Sequence, residues 1–235
     1  MAIDHCLAMT GEEISACPRL PEKICYMACH FSPVDDDLCD LPAALPPGSL
    51  LILNDRLPLR RHDPDRIGDR LDEAMTRFSC SGLLLDFERP GIPALASLTH
   101  RLFQRFGEDL GVSSLYARET EGPVFLSPLP CATHLRDHVF PWAGRELWLD
   151  LSPSPGTLVL TPDGSHWAPP EARSPDVPVH RDPSLYCHYQ IHTKNTARFS
   201  LFRTGEDLRR MEPEAESLGI RRMIGLYQEL QGLWP

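Results

Sequence analysis

Short apolar runs alternate with amphipathic stretches along most of the 235-residue chain. An apolar run of about four to eight residues between turn residues is typical of a buried strand, and apolar residues spaced three or four apart are typical of a helix. Eight runs predict strands at residues 2–9, 23–31, 49–54, 82–88, 124–129, 146–151, 198–202 and 222–227.

Helical patterns fill several of the intervals between these runs. One helix is predicted from Asp63-Pro64 to residue 79, because aspartate suits the cap and proline suits the first turn. A second is predicted to end at Gly107, and a third covers 205–217. Strands that alternate with helices favour a parallel sheet. The pattern predicts a small α/β protein, a (β/α)8 TIM-type barrel, with residues 1–235 forming one domain.

Residues 156–192 interrupt this alternation, between the sixth and seventh predicted strands. Leu158-Val159-Leu160 is followed by the turn sequence Pro162-Asp163-Gly164, and residues 185–192 alternate as a strand does. We expect this insertion to form a small β element that includes a hairpin.

Composition and charge restrict the function classes. The formal net charge of −10 argues against nucleic acid as a partner, because phosphates favour a basic surface. No apolar stretch reaches the length of a membrane span, and residues 1–15 do not resemble a signal peptide. We therefore expect no membrane partner, a cytoplasmic location, reduced cysteines and no cofactor.

The clearest chemical signal is the strand that ends in Asp86-Phe87-Glu88. Successive side chains of a strand point to opposite sides, so Asp86 and Glu88 share one side. In a β/α barrel, active sites lie at the C-terminal ends of the strands. Neighbouring carboxylates repel each other when both are ionised, so we expect one of the two to keep its proton near neutral pH.

Histidine spacing leaves a second enzyme class open. His134 and His138 are four residues apart, as are His188 and His192, and each pair would share a face. Together with a carboxylate they would suit a metal-dependent barrel hydrolase, although surface histidines are the simpler interpretation.

The chain resembles the chitinase-like glycoside hydrolases of family 18. Their fourth strand carries Asp-Gly-x-Asp-x-Asp-x-Glu, and residues 81–88 here read Ser-Gly-Leu-Leu-Leu-Asp-Phe-Glu. Residues 147–150, Leu-Trp-Leu-Asp, resemble the family's sixth strand, which often reads Met-x-Tyr-Asp. Residues 199–202, the helix that follows and residues 217–227 together resemble its closing unit, in which a helix ends in glycine and the last strand brings an aromatic residue to the sugar site.

The resemblance implies a retaining mechanism in which the N-acetyl group of the substrate attacks the anomeric carbon. Glu88 would donate a proton to the leaving oxygen, and Asp86 would orient the acetamido group. The remaining implied contacts with the substrate are Asp150, Tyr227, Trp148 and Asp55.

Two positions depart from the family motif, because Ser81 and Leu84 stand where the family has aspartates. A non-catalytic carbohydrate-binding or interaction protein on the same barrel is therefore the alternative to an enzyme. The motif leaves the sugar open, since chitin oligomers, peptidoglycan fragments and N-glycan cores all carry N-acetyl groups.

Overall fold

A computed structural model of the chain describes residues 2–35, 37–57, 59, 63–193 and 196–231. The described strands are β1 (Asp4–Met9), β2 (Ile24–Phe31), β3 (Leu38–Cys39), β4 (Leu50–Asn54), β5 (Gly82–Asp86), β6 (Leu110–Ser113), β7 (Val124–Leu126), β8 (Leu147–Asp150), β9 (Gly156–Thr161), β10 (Gly164–Ala168), β11 (Val179–Asp182), β12 (Cys187–His192), β13 (Ala197–Phe202) and β14 (Ile220–Leu226). The described α-helices are α1 (Gly11–Ala16), α2 (Pro64–Phe78), α3 (Pro93–Phe106), α4 (Leu135–Val139), α5 (Gly205–Ser217) and α6 (Tyr227–Leu230).

Eight parallel strands form a closed barrel, which confirms the predicted fold class. Their order around the ring is β1-β14-β8-β7-β6-β5-β4-β2, and the pairing of β1 with β2 closes it. The short strand β3 pairs antiparallel with β2 outside the ring. Asp63 caps α2 by accepting a hydrogen bond from the backbone N–H of Arg66, and Pro64 begins the helix, as the sequence predicted. The prediction that residues 1–235 form one domain stays a prediction, and that range includes positions outside the described residues.

The fifth barrel strand was missed by the sequence pattern. It is β6, whose Leu-Gly-Val-Ser sequence lacks a clear apolar run. Gly111 is required there by packing, since a Cβ atom at this position would overlap the Trp148 ring. The segments at 124–129 and 146–151 therefore supply the sixth and seventh strands. The assignment of residues 147–150 to the sixth strand was wrong by one strand.

The insertion is larger than predicted and lies elsewhere in the strand order. A five-stranded antiparallel sheet, ordered β10-β9-β13-β12-β11, spans Gly156 to Phe202 and separates the seventh barrel strand from the eighth. The prediction of an insertion at 156–192 between strands six and seven was thus wrong in position and extent. Residues 198–202 belong to this sheet, because β13 pairs with β9 and β12. A two-residue period identifies a strand but not the sheet that it joins.

The barrel interior contains a cluster of buried, mostly apolar side chains. The buried members of this cluster are Cys6, Ala8, Cys25, Leu50, Ile52, Leu84, Phe125, Trp148 and Ile224. A second cluster lies between the outer face of the strands and helices α2 and α3. The helices of the described chain are all too short or too polar to cross a membrane.

An irregularity in β2 changes the direction of its side chains. The register with β4 shifts between Tyr26 and Cys29. As a result Cys25 packs inside the barrel whereas Cys29 packs in the outer cluster, although a spacing of four predicts one common face. The same shift places His30 at the barrel mouth, where it lines a cavity.

Candidate active site

Asp86 and Glu88 lie at the C-terminal end of β5, the fourth strand of the barrel. Leu84, one layer below Asp86, is fully buried in the barrel interior. Phe87 points the other way, into the outer cluster, where its ring lies 5.9 Å from the ring of Phe31. The packing of Phe87 keeps Asp86 and Glu88 directed towards the mouth of the barrel. Both residues line the same two cavities.

Asp55, directly after β4, holds the chain that carries Glu88. Its side chain is 3% exposed. One carboxylate oxygen accepts a hydrogen bond from the backbone N–H of Glu88 at 3.0 Å, and the other accepts from the N–H of Arg89 at 3.1 Å. The Arg89 guanidinium donates from Nε to the same carboxylate at 2.9 Å. Through these bonds Asp55 fixes the backbone at Glu88 and Arg89.

Two further residues, at and just after the end of β6, hold the same segment through three hydrogen bonds. The hydroxyl of Ser113 donates a hydrogen bond to the carbonyl oxygen of Phe87 at 2.8 Å. Tyr116 donates to the carbonyl of Arg89 and accepts from the N–H of Ile92. Glu88 is exposed, yet its backbone is fixed on both sides. Such support preorganises a functional side chain.

Two cavities meet at Asp86 and Glu88. The first, which we call the His30 cavity, has a volume of about 380 Å³ and is lined by Thr10, Met27, Ala28, His30, Asn54, Asp55, Arg56, Asp86 and Glu88. The second, which we call the Asp150 cavity, has a volume of about 250 Å³ and is lined by Asp86, Phe87, Glu88, Ser113, Ser114, Leu115, Phe125, Ser127, Pro128 and Asp150. An elongated ligand that occupied both would pass over the two carboxyl groups.

Burial and mutual repulsion alter the acidity of two of these groups. Burial, then the charges of Glu88 and Asp55, raise the pKa of Asp86 to about 6. Burial, then the charges of Asp86, Glu229 and Glu88, raise the pKa of Asp150 to about 7. The sequence predicted that Asp86 or Glu88 would keep a proton near neutrality. The structure adds Asp150, at the end of β8, which carries the higher of the two raised pKa values.

Two of the predicted substrate contacts lie away from both cavities. Trp148 is 3% exposed inside the barrel, where the Arg222 guanidinium lies 4.3 Å from its ring centroid. Tyr227 begins α6, and a hydrogen bond with Cys17 is the main reason that its pKa is raised. Leu226, the preceding residue, packs against the interior cluster in the position expected for a mouth residue of the last strand. A direct role for Trp148 or Tyr227 in binding sugar stays a prediction.

His30 and Asn54 were not found by the sequence reasoning, although both line the His30 cavity. The Asn54 carboxamide oxygen lies 2.6 Å from Nδ1 of His30, and its nitrogen donates to the carbonyl of Met27 at 2.9 Å. Asn54 could have been found, because it is the last residue of β4 and lies in register with Asp86 on the neighbouring strand β5. His30 could not, because a regular two-residue period from Cys25 points it outward.

The histidine pairs do not converge on the carboxyl groups. His134 contacts the carbonyl of Ser184, His138 contacts that of Ser127, and His188 pairs with Asp207 at 2.8 Å. The described part of the chain contains no group of three or more His, Cys, Asp or Glu side chains arranged to hold a metal ion. The geometry therefore does not support the metal-dependent hydrolase alternative.

Comparisons with known proteins identify the fold. No family model and no curated protein matches the chain. The chain is similar to a family 18 chitinase variant from Cycas revoluta in complex with (GlcNAc)4, with 10% identity, a TM-score of 0.57 and coverage of 97% of this chain and 96% of that one. It is also similar to the chitinase-like agglutinin of Robinia pseudoacacia, with 9% identity, a TM-score of 0.55 and 87% of each chain covered.

A third similar structure is the spore cortex-lytic enzyme SleL of Bacillus megaterium QM B1551, with 10% identity and a TM-score of 0.54. The match covers 98% of this chain and 72% of SleL. The chain thus has the divergent, chitinase-like fold of glycoside hydrolase family 18. Identities of about 10% establish the fold, and function must be argued from the site.

Proposed function

We propose that this protein is a glycosidase that cleaves N-acetylated sugar oligomers or polymers by a retaining, substrate-assisted mechanism. The observation that carries the proposal is the meeting of two cavities at Asp86 and Glu88, with Asp150 in the wall of one of them. A sugar chain that spans both cavities would place one glycosidic bond beside Glu88.

Each step of the proposed reaction has a group to perform it. Glu88 donates a proton to the leaving oxygen while the acetamido oxygen of the substrate bonds to the anomeric carbon. Asp86 orients the acetamido group, and its ionised form stabilises the cationic ring intermediate. Water then opens this intermediate, with Glu88 accepting the proton. We assign the carboxyl of Asp150 to the same sugar subsite, and Asp55 to the positioning of Glu88.

A binding protein without catalysis is the second candidate, and one observation favours it. Leu84 fills the barrel layer below Asp86, where the family motif has a carboxylate. The similar agglutinin is named for binding and not for hydrolysis. In this case the two cavities would hold a sugar chain without cleaving it.

Replacing Glu88 with glutamine separates the two candidates. Glu88→Gln keeps size and hydrogen bonding but removes the transferable proton. Cleavage of an aryl glycoside of N-acetylglucosamine oligomers should fall by about 10² to 10⁴, with poor leaving groups losing more than good ones. Binding of an uncleaved oligomer, measured by calorimetry, should change much less.

Glu12→Gln, which removes an exposed carboxylate from α1, is the matched control and should leave the rate unchanged. Wild-type protein that binds such oligomers without cleaving them would establish the binding candidate. Wild-type protein that neither binds nor cleaves them would refute both.

A further inference from the structure

The two cavities differ in charge. Three carboxyl groups line the Asp150 cavity, those of Asp86, Glu88 and Asp150, and none of the described residues in its wall is basic. Three serines and four apolar residues, Leu115 among them, complete this wall. The His30 cavity shares Asp86 and Glu88 and adds Asp55, whose carboxylate is paired with Arg89, but its wall also contains the basic residues His30 and Arg56.

Two arginines of the described chain that contact segments next to the Asp150 cavity are engaged elsewhere. Arg89, which follows Glu88, is paired with Asp55. Arg203 is buried and donates to the carbonyls of Leu129, Pro130 and Leu185.

Two titratable groups border this cavity from other elements. His138 contacts the carbonyl of Ser127, and burial lowers the pKa of His138, which disfavours its charged form. Glu229, from α6, adds a further negative charge beside Asp150. The negative charge in the Asp150 cavity is therefore not compensated by these neighbours.

We propose that the Asp150 cavity accepts an uncharged sugar unit and excludes a unit that carries a carboxylate, whereas the His30 cavity tolerates one beside Arg56. This inference rests on the proposed function. Its physical basis is that a carboxylate brought next to unpaired, partly buried carboxylates is repelled and loses hydration without gaining a partner. Asp150 then acts as a specificity-determining residue.

The exclusion should depend on pH. The carboxyl groups that face this cavity are those of Asp86 and Glu88, at the end of β5, and of Asp150, at the end of β8. Glu229, which accepts a hydrogen bond from Ser152, and Asp55 are not part of its wall and act on Asp150 and Asp86, respectively, through their charge. Burial raises the pKa of Asp86 to about 6 and that of Asp150 to about 7, so both are largely neutral at pH 5 and ionised at pH 8. Repulsion should therefore be strong at pH 8 and weak at pH 5.

The experiment compares three tetramers of equal length on the wild-type protein. They are (GlcNAc)4, its C6-oxidised form in which every unit carries a carboxylate, and the carboxamide of that form, which has the same bulk without the charge. Affinity is measured by calorimetry at fixed ionic strength, or kcat/KM where the tetramer is cleaved. At pH 8 the carboxamide should bind about 10- to 100-fold more tightly than the acid, and the difference should shrink at pH 5 and at high salt.

A pair of variants tests the location. Leu115 is 51% exposed in the wall of the Asp150 cavity, so a polar replacement should not disturb folding. Leu115→Lys should bring the acid and the carboxamide to similar affinity at pH 8, and Leu115→Gln, of similar length and no charge, should keep the wild-type ratio.

Equal binding of acid and carboxamide by the wild-type protein at pH 8 would overturn the inference and leave the proposed function standing. The same holds if Leu115→Lys fails to change the ratio. If none of the three tetramers binds, both the inference and the proposed function are refuted.

Discussion

At the residue scale, the acidity of the site is set by how close its carboxyl groups lie and how little water reaches them. Asp86 titrates at about 6 and is influenced first by burial and then by Glu88. Asp150 titrates at about 7 and faces the charge that Asp86 acquires on losing its proton. The two groups are therefore expected to ionise in order, Asp86 before Asp150.

This order predicts the effect of removing one charge at a time. Asp86→Asn should lower the pKa of Asp150, because it removes the neighbouring charge that raises this pKa most. Glu88→Gln should lower the pKa of Asp86 and have a smaller effect on that of Asp150, because the charge of Glu88 affects Asp150 less than those of Asp86 and Glu229 do. Carbon-13 NMR titration of the side-chain carboxyl groups measures these values, and an unchanged pKa of Asp150 in Asp86→Asn would contradict the coupling.

At the element scale, the site depends on a link between consecutive strands. β4 and β5 pair in parallel, so their C-terminal ends reach the same edge. Asp55 follows one end and binds the backbone that follows the other. Sequence reasoning placed Asp55 in the site, but as a substrate contact. Only the structure showed that its carboxylate binds the N–H groups of Glu88 and Arg89.

Removing this link should loosen the segment that carries Glu88. Asp55→Ala leaves two backbone N–H groups and a guanidinium without their acceptor. We therefore expect the free energy of unfolding, measured with urea, to fall by about 2 to 4 kcal/mol. Hydrogen exchange at the N–H groups of Glu88 and Arg89 should accelerate.

Arg89→Gln is the matched control, because it removes the ion pair and leaves both backbone bonds to Asp55 in place. Arg89→Gln should lower the free energy of unfolding by less than Asp55→Ala does, and it should leave hydrogen exchange at the N–H of Glu88 unchanged. Equal acceleration in both variants would show that the ion pair, and not the backbone bonds, holds the segment.

At the scale of the whole molecule, closing the barrel forces acidic groups together at one end. A carboxyl whose pKa is higher in the folded than in the unfolded protein binds its proton more tightly when folded. The stability that this contributes is present at low pH and is lost as the pH rises through the folded pKa. Asp86 and Asp150 should both make the fold less stable as the pH rises from about 4 to 8.

Asp150→Asn tests this expectation. The variant removes the cost of burying a charge, so at pH 8 it should be more stable than the wild-type protein by about 2 to 4 kcal/mol, and at pH 4 the two should be nearly equal. Urea unfolding at the two pH values measures the difference. The control variant Asp163→Asn, in an exposed turn of the inserted sheet, should differ in stability from the wild-type protein by the same amount at the two pH values. A loss of stability in Asp150→Asn at pH 8 would contradict the expectation.

The sequence by itself determined the class of fold and the acidic pair. Its alternation of apolar runs and helical patterns predicted the barrel, and the end of β5 in Asp86-Phe87-Glu88 predicted two carboxyl groups on one side. These features are local, because they depend on the period of side chains along one strand and on the residues that bound it.

Only the tertiary structure decided which strands pair with one another and which residues they bring together. The weakly apolar β6 became a barrel strand because its neighbours bury it, and β13 joined the inserted sheet because β9 and β12 lie beside it. The register shift in β2 brought His30 to the mouth. The raised pKa of Asp150 arises from residues of other elements. Each of these depends on contacts between residues far apart in the chain, which no local period records.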